Sequence, residues 1–124
     1  MSLILIVEDN EKNMKLARDV LQSKGYSTLE AVTGEEGVRL ATERKPDLVL
    51  MDIQLPGISG IEALRQLRAD AQLAKIPVVA FTASVTPTDR NVINQAGFDA
   101  FLSKPINLKE FLETVRRLLE SRRA

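Results

Sequence analysis

The chain has no cysteine and no histidine. The first absence excludes disulfides, thiolate nucleophiles and Cys-based zinc sites; the second removes the commonest general base and the commonest metal ligand. Whatever chemistry the chain performs must run on carboxylates, hydroxyls and lysine. An excess of charge of one sign is also lacking, because Lys+Arg 17 and Asp+Glu 17 cancel to a formal net charge of +0. With no long-range field to draw it towards polyanions, neither nucleic acid nor a membrane surface is expected as a partner. No apolar run approaches the ~20 residues of a membrane span. No basic flank with an apolar stretch and a small-residue cleavage site opens the sequence, so a cytoplasmic location is the expectation.

What is present is the composition of an ordinary globular domain: 124 residues, 44% hydrophobic and 27% charged. That length fits one compact domain over residues 1–124 with no room for an output domain, and no internal repeat or linker interrupts it.

Apolar runs bounded by turn signals alternate with amphipathic stretches, strand then helix, five times over. The alternation predicts an α/β fold with a parallel sheet. Leu3-Ile4-Leu5-Ile6-Val7 ends abruptly in Glu8-Asp9-Asn10, the pattern of a central strand covered on both faces. Asn10 is placed to cap a helix over Glu11 to about Lys24, with Met14, Ala17 and Leu21 at helical spacing, Leu16 and Val20 beside them, and Gly25 as its stop. Ser27 to Ala31 reads as a less apolar strand at or near an edge, and Thr33 caps a second helix through about Arg44. Lys45-Pro46-Asp47 breaks the chain before Leu48-Val49-Leu50-Met51, a second central strand that ends in Asp52.

Leu55-Pro56-Gly57-Ile58 suits a type II turn, and a third helix from about Gly60 to Ala69 carries Ile61, Leu64 and Leu67 inward. Val78-Val79-Ala80-Phe81 is a fourth strand ending in Thr82; Pro87 suits the first turn of a helix that ends near Gly97. Ala100 to Ser103 is the fifth strand. After Lys104-Pro105, Asn107 caps a last helix whose Leu108, Phe111, Leu112, Val115, Leu118 and Leu119 form an amphipathic stripe, and whose polar end, Glu120-Ser121-Arg122-Arg123, is expected to fray. Right-handed crossovers and short connections restrict the sheet to doubly wound orders, here 2-1-3-4-5 in a flavodoxin-like three-layer sandwich.

Ligands of such folds bind beyond the carboxyl ends of the strands. Those ends carry Glu8 and Asp9, Asp52, Thr82 and Lys104. Carboxylates crowded on one rim repel, and a hard divalent cation resolves the repulsion; oxygen-only ligands suit Mg²⁺. With lysine and threonine facing such a cation, the set is arranged for a phosphoryl group, and an aspartate can itself be the nucleophile.

The segments Val7-Glu8-Asp9-Asn10, Met51-Asp52-Ile53-Gln54-Leu55-Pro56-Gly57, Phe81-Thr82-Ala83 and Ser103-Lys104-Pro105-Ile106 resemble the receiver domain of two-component response regulators, a CheY-like fold, over the whole chain. The thirty residues from Asp52 to Thr82 match the family's usual interval. The resemblance implies that Asp52 accepts a phosphoryl group from a phosphohistidine of a histidine kinase or histidine phosphotransfer protein. It implies that Asp9, Asp52 and the backbone carbonyl of Gln54 bind Mg²⁺, that Glu8 holds metal-bound water, and that Lys104 grips the phosphate. It further implies a cis peptide bond before Pro105, a switch made of Thr82 and Phe101, and lifetime-tuning positions at Gln54 and Ser84. Phe101 stands where the family more often has Tyr, which removes a hydroxyl contact on the output face; a downstream protein target is implied all the same. On this reading the chain is a signalling switch and no enzyme beyond its own phosphorylation and dephosphorylation.

Each residue alone has a plainer explanation. Glu8-Asp9-Asn10 could only cap a helix, Asp52 end a strand, Thr82 favour β structure and Lys104 sit in solvent; the conjunction at four strand ends outweighs these. Arg116, Arg117, Arg122 and Arg123 invite a nucleic-acid reading, but no aromatic interleaves them and acidic residues balance them, which favours a solvated helix face. Among rival functions, a phosphatase with an Asp nucleophile needs an acid two residues on, where Gln54 stands. A flavodoxin-like nucleotide binder needs a phosphate cradle after the first strand, where Glu8-Asp9-Asn10-Glu11 repels phosphate, and no GxxxxGK[ST] segment occurs. A receiver taken from a hybrid histidine kinase shares the same motifs, whereas the intact set of site residues argues against a degenerate receiver that binds partners without phosphate.

Overall fold

The computed structural model describes residues 2–82 and 87–123, without the side chains of 87–90, 122 and 123. Five strands and five helices alternate: β1 (Leu3–Val7), α1 (Glu11–Ser23), β2 (Ser27–Ala31), α2 (Gly34–Arg44), β3 (Leu48–Asp52), α3 (Gly60–Ala69), β4 (Val78–Thr82), α4 (Pro87–Ala96), β5 (Ala100–Ser103) and α5 (Leu108–Arg123). The strands are all parallel in the order β2-β1-β3-β4-β5, so the doubly wound fold is present with β1 and β3 at the centre and β2 at one edge.

The strand sequences account for these places. β3 and β4 are buried along their whole length, as a strand covered on both faces requires, whereas β2 buries only Ala31 fully. Side chains of alternate parity enter two cores. Ile4, Ile6, Leu48, Leu50, Val79, Phe81 and Leu102 face α1 and α5; Leu5, Val7, Val49, Met51 and Val78 face α2 and α3. Burying each such side chain contributes about 1.5–3 kcal/mol, and the two layers together outweigh any surface interaction in the molecule.

Helix boundaries follow from caps. Asn10, Thr33, Ser59 and Asn107 each accept a hydrogen bond from a backbone N–H three residues on, at 3.0, 3.1, 3.2 and 3.0 Å. Gly25, at φ +87°, lets the chain leave α1 in the left-handed region, and Tyr26 N–H still returns to Leu21 O. Two expectations need correction. Ile61 is half-buried and Ala63 takes its place in the core, because Ala63, Leu64 and Leu67 define the inward arc of α3. Leu108 is exposed, since α5 begins ahead of the layer it packs on. Helix α5 runs through Arg123.

Candidate functional site

Two ladder hydrogen bonds extend the sheet past its formal ends. Glu8 N–H donates to Ala31 O at 2.9 Å and Lys104 N–H to Thr82 O at 2.8 Å, so both residues keep the direction of the strands before them. Strand alternation then explains why they meet. Glu8 shares the parity of Ile4 and Ile6, Asp52 that of Leu48 and Leu50, and Lys104 that of Leu102, and all these reference side chains belong to one core layer. Three side chains from three strands are thereby aimed to one side of the carboxyl rim.

At that rim Lys104 Nζ lies 2.5 Å from Glu8 Oε1 and 3.0 Å from Asp52 Oδ2. The three side chains are only 9%, 1% and 6% exposed, so the ion pairs are dry. Glu8 Oε1 is buried, and its ion-pair partner is the Lys104 ammonium. Glu8 Oε2 accepts from Asn10 N–H at 3.0 Å, and Asp52 Oδ1 accepts from Gln54 N–H at 3.0 Å. Asp9, exposed on the loop that follows β1, completes a group whose carboxylate oxygens, one each from Glu8, Asp9 and Asp52, lie within 4.8 Å of one another.

Burial pushes the Glu8 carboxyl above its ordinary value, and the neighbouring Asp52 adds to the push; Lys104 and Asn10 N–H oppose it. For Lys104, burial alone favours the neutral amine, but the contacts with Glu8 and Asp52 outweigh it and the ammonium is held above its ordinary value. One cation thus faces three carboxylates, leaving a surplus of two negative charges when all are ionised. An oxygen-only donor set and that surplus together fit a hard divalent cation. Ca²⁺ would demand more oxygens than the cluster offers, whereas Mg²⁺ binds through one or two carboxylates and keeps waters.

The remaining expected residues are distributed around this cluster. Thr82 is buried at the end of β4, one residue beyond Phe81, which pairs in register with Asp52. Phe101 is half-buried on β5, paired with Ala80. The Lys104–Pro105 peptide bond is cis. Gln54 is exposed in the loop after β3. Ala83 and Ser84 lie outside the described residues.

Two features of the site escaped the sequence. Gly60 is pressed against β3: a Cβ there would overlap the Asp52 carbonyl oxygen and come within 2.9 Å of Ile53 Cα. Phe81 lies beneath Lys104, with Nζ 5.1 Å from its ring centroid. Neither has a local signal, because both depend on which backbone atoms the fold brings alongside.

With this geometry in place, comparison with known proteins is consistent along almost the full chain. The profile of the response regulator receiver domain matches residues 4–116. The polar-differentiation response regulator DivK of Brucella anthropi is 47% identical over 116 residues, which cover 94% of each protein, and DivK of Brucella abortus matches equally. Among solved structures, the signal receiver domain of a histidine kinase from Syntrophus aciditrophicus superposes with a TM-score of 0.91 at 31% identity, covering 98% of this chain and 92% of that one. The receiver domain of a sensor histidine kinase from Pseudomonas aeruginosa PAO1, which has a magnesium ion coordinated in its active-site cleft, gives a TM-score of 0.90 at 34% identity, covering 96% and 98%. Sheet order, the acidic cluster at the strand ends and these similarities agree, and the chain belongs to the family of response regulator receiver domains.

Proposed function

We propose that the chain is a phosphorylation-controlled switch in a phosphorelay, with Asp52 as the acceptor of a phosphoryl group from a phosphohistidine of a cytoplasmic histidine kinase or phosphotransfer protein. The observation that carries this reading is the Asp52 carboxylate itself, almost wholly buried, gripped by the Lys104 ammonium and by Gln54 N–H, and bordered by Glu8 and Asp9.

Glu8, Asp9, Asp52 and the carbonyl of Gln54 would hold Mg²⁺, which supplies neutralisation of phosphoryl oxygen charge when bound. The chain does the rest. An Asp52 oxygen attacks phosphorus as the bond to the donor imidazole nitrogen breaks, and the released imidazole regains its neutral form by taking a proton. Lys104, kept charged by its carboxylate neighbours, is placed to pair with a phosphoryl oxygen as it arrives. Because the Asp52 carboxylate already carries one charge, modification adds about one further negative charge at the rim and moves it outward onto the phosphoryl oxygens. Thr82 and Phe101, on β4 and β5, are the residues assigned to report that change, through a shift between two conformations that differ in which proteins they bind. The product stays on the chain, so it is a signalling protein first.

A second reading has support of its own, because receivers of histidine kinases are among the similar structures. The DivK proteins, of whose length the match covers 94%, favour signalling between separate proteins. The test common to both is radiolabel uptake from a small phosphodonor with Mg²⁺. Asp52→Asn is expected to abolish it with the fold intact, and uptake at the wild-type rate would remove Asp52 from its role. A phosphotransfer profile against candidate kinases then separates the two readings.

A further inference from the structure

A lysine side chain has four rotatable carbons between its backbone and its charge, and two carboxylates on one side do not by themselves fix an ammonium in space. Here a third wall is present. Lys104 Nζ stands over the Phe81 ring, 5.1 Å from its centroid, within the ~6 Å at which a cation is drawn to the negative face of an aromatic ring. The Lys104 side chain is 9% exposed, so little water competes with that attraction. The Phe81 ring is fixed in turn: it stacks on Phe111 of α5, with centroids 6.5 Å apart and planes 9° from parallel. Both rings are buried, and both line a cavity of about 190 Å³ beneath the Lys104–Pro105 turn.

We propose that Phe81 is a positioning residue for the Lys104 ammonium, and that its stack on Phe111 ties the place of that ammonium to α5. The proposal deepens the reading in which Lys104 pairs with an arriving phosphoryl oxygen, and rests on it for its functional half. The register makes the arrangement specific. Phe81 pairs with Leu102, two residues before Lys104, so lysine stem and ring lie on the same side of the sheet. Leucine at 81 would keep an apolar side chain there but present no ring face. When the phosphoryl group enters, the ammonium must shift from Asp52 Oδ2 towards it, and the ring sets the plane along which it slides. The cavity beside the two rings leaves room for them to follow, which would move the start of α5 with the charge.

The test has a spectroscopic arm that needs no phosphorylation. In protein labelled with ¹³C-lysine, the δ and ε methylene protons of Lys104, assigned through Lys104→Arg, are expected well upfield of the other lysines because of the ring current. They should return to ordinary positions in Phe81→Leu and stay upfield in Phe81→Tyr. In the kinetic arm, Phe81→Leu should take up phosphoryl from acetyl phosphate about tenfold more slowly. Phe81→Tyr should restore the rate, and Mg²⁺ affinity, read from amide shifts of the loop carrying Asp9, should stay within about twofold in both. Unshifted methylenes in the wild type, wild-type uptake by Phe81→Leu, or Mg²⁺ affinity falling in step with uptake would each overturn the proposal. Should Phe81→Leu not fold, Phe111→Leu gives the same reading, with a reduced upfield shift expected. A wild-type protein that shows the shift but takes up no phosphoryl would sink the proposed function and leave the positioning intact.

Discussion

Glu8 and Lys104 lie at opposite ends of the sequence and 2.5 Å apart in the structure, in a contact from which water is nearly excluded. Their pairing offsets part of the cost of burying a carboxylate at the sheet's rim, and it makes the stability of the metal-free protein depend on a residue proposed to pair with phosphate.

Removing that lysine should therefore reduce stability. In Lys104→Met, Glu8 and Asp52 lose their only cation within ion-pair distance among the described residues, at a cost of roughly 3 kcal/mol at pH 7. Urea denaturation should show the loss, and millimolar Mg²⁺ should recover part of it by binding the folded state alone. An unchanged midpoint would mean the pair contributes nothing net.

Neutralising Glu8 should act the other way. Its carboxyl is raised above 4.5 in the fold, so the folded state holds the proton more tightly than the unfolded chain does. That contribution is fully present below about pH 4.5 and is lost as pH climbs through the raised value. Without Mg²⁺, the stability of Glu8→Gln relative to wild type should rise with pH from about 4.5 upward. Lys104, raised above 10.5, loses its contribution only in alkali and does not disturb this window. A difference that stays flat between pH 4 and 8 would contradict the assignment.

Gly60→Ala should disturb Asp52, the proposed acceptor, through the backbone. Its Cβ would meet the Asp52 carbonyl and Ile53 Cα, atoms that cannot swing aside, so overpacking of about 1–3 kcal/mol is expected together with slower phosphoryl uptake. Gly25→Ala is the control. It meets no atom within 4 Å but sits at φ +87°, and should lose about 1 kcal/mol with uptake unchanged. Equal effects on uptake would refute the local argument.

Arg68 should prove purely structural. From α3 it donates to Ala74 O, Ile76 O and Asp99 Oδ2 at 3.0, 2.7 and 2.8 Å, and the same Asp99 oxygen accepts from Val78 N–H. This knot binds α3 to the starts of β4 and β5, away from the Asp52 rim. Arg68→Ala should destabilise by roughly 2–3 kcal/mol and leave uptake at the wild-type rate. A double-mutant cycle with Asp99→Ala should show coupling between the two.

Much of this fold is legible in the sequence. Continuous apolar runs at Leu3–Val7 and Leu48–Asp52 marked the central strands because a strand buried on both faces has no place for alternation. Caps such as Asn10 and Asn107 were legible because a short polar side chain satisfies orphan N–H groups locally. Ile61 and Leu108 depart from the helical period for the complementary reason. Helical period names a face, but how far the neighbouring layer extends along that face is a property of the assembled molecule.

The sequence by itself determined the strands and helices, their parallel order and the identity of the groups at the strand ends, since each follows from local periodicity, capping and the handedness of short crossovers. Only the tertiary structure decided that Glu8, Asp52 and Lys104, expected on one rim, are buried there in direct ion-pair contact, that Gly60 presses on the Asp52 carbonyl, and that a Phe81 ring stacked on Phe111 underlies the ammonium. Those relations depend on register between strands far apart in the chain, where alternation of side chains turns a shift of one residue into the opposite face of the sheet.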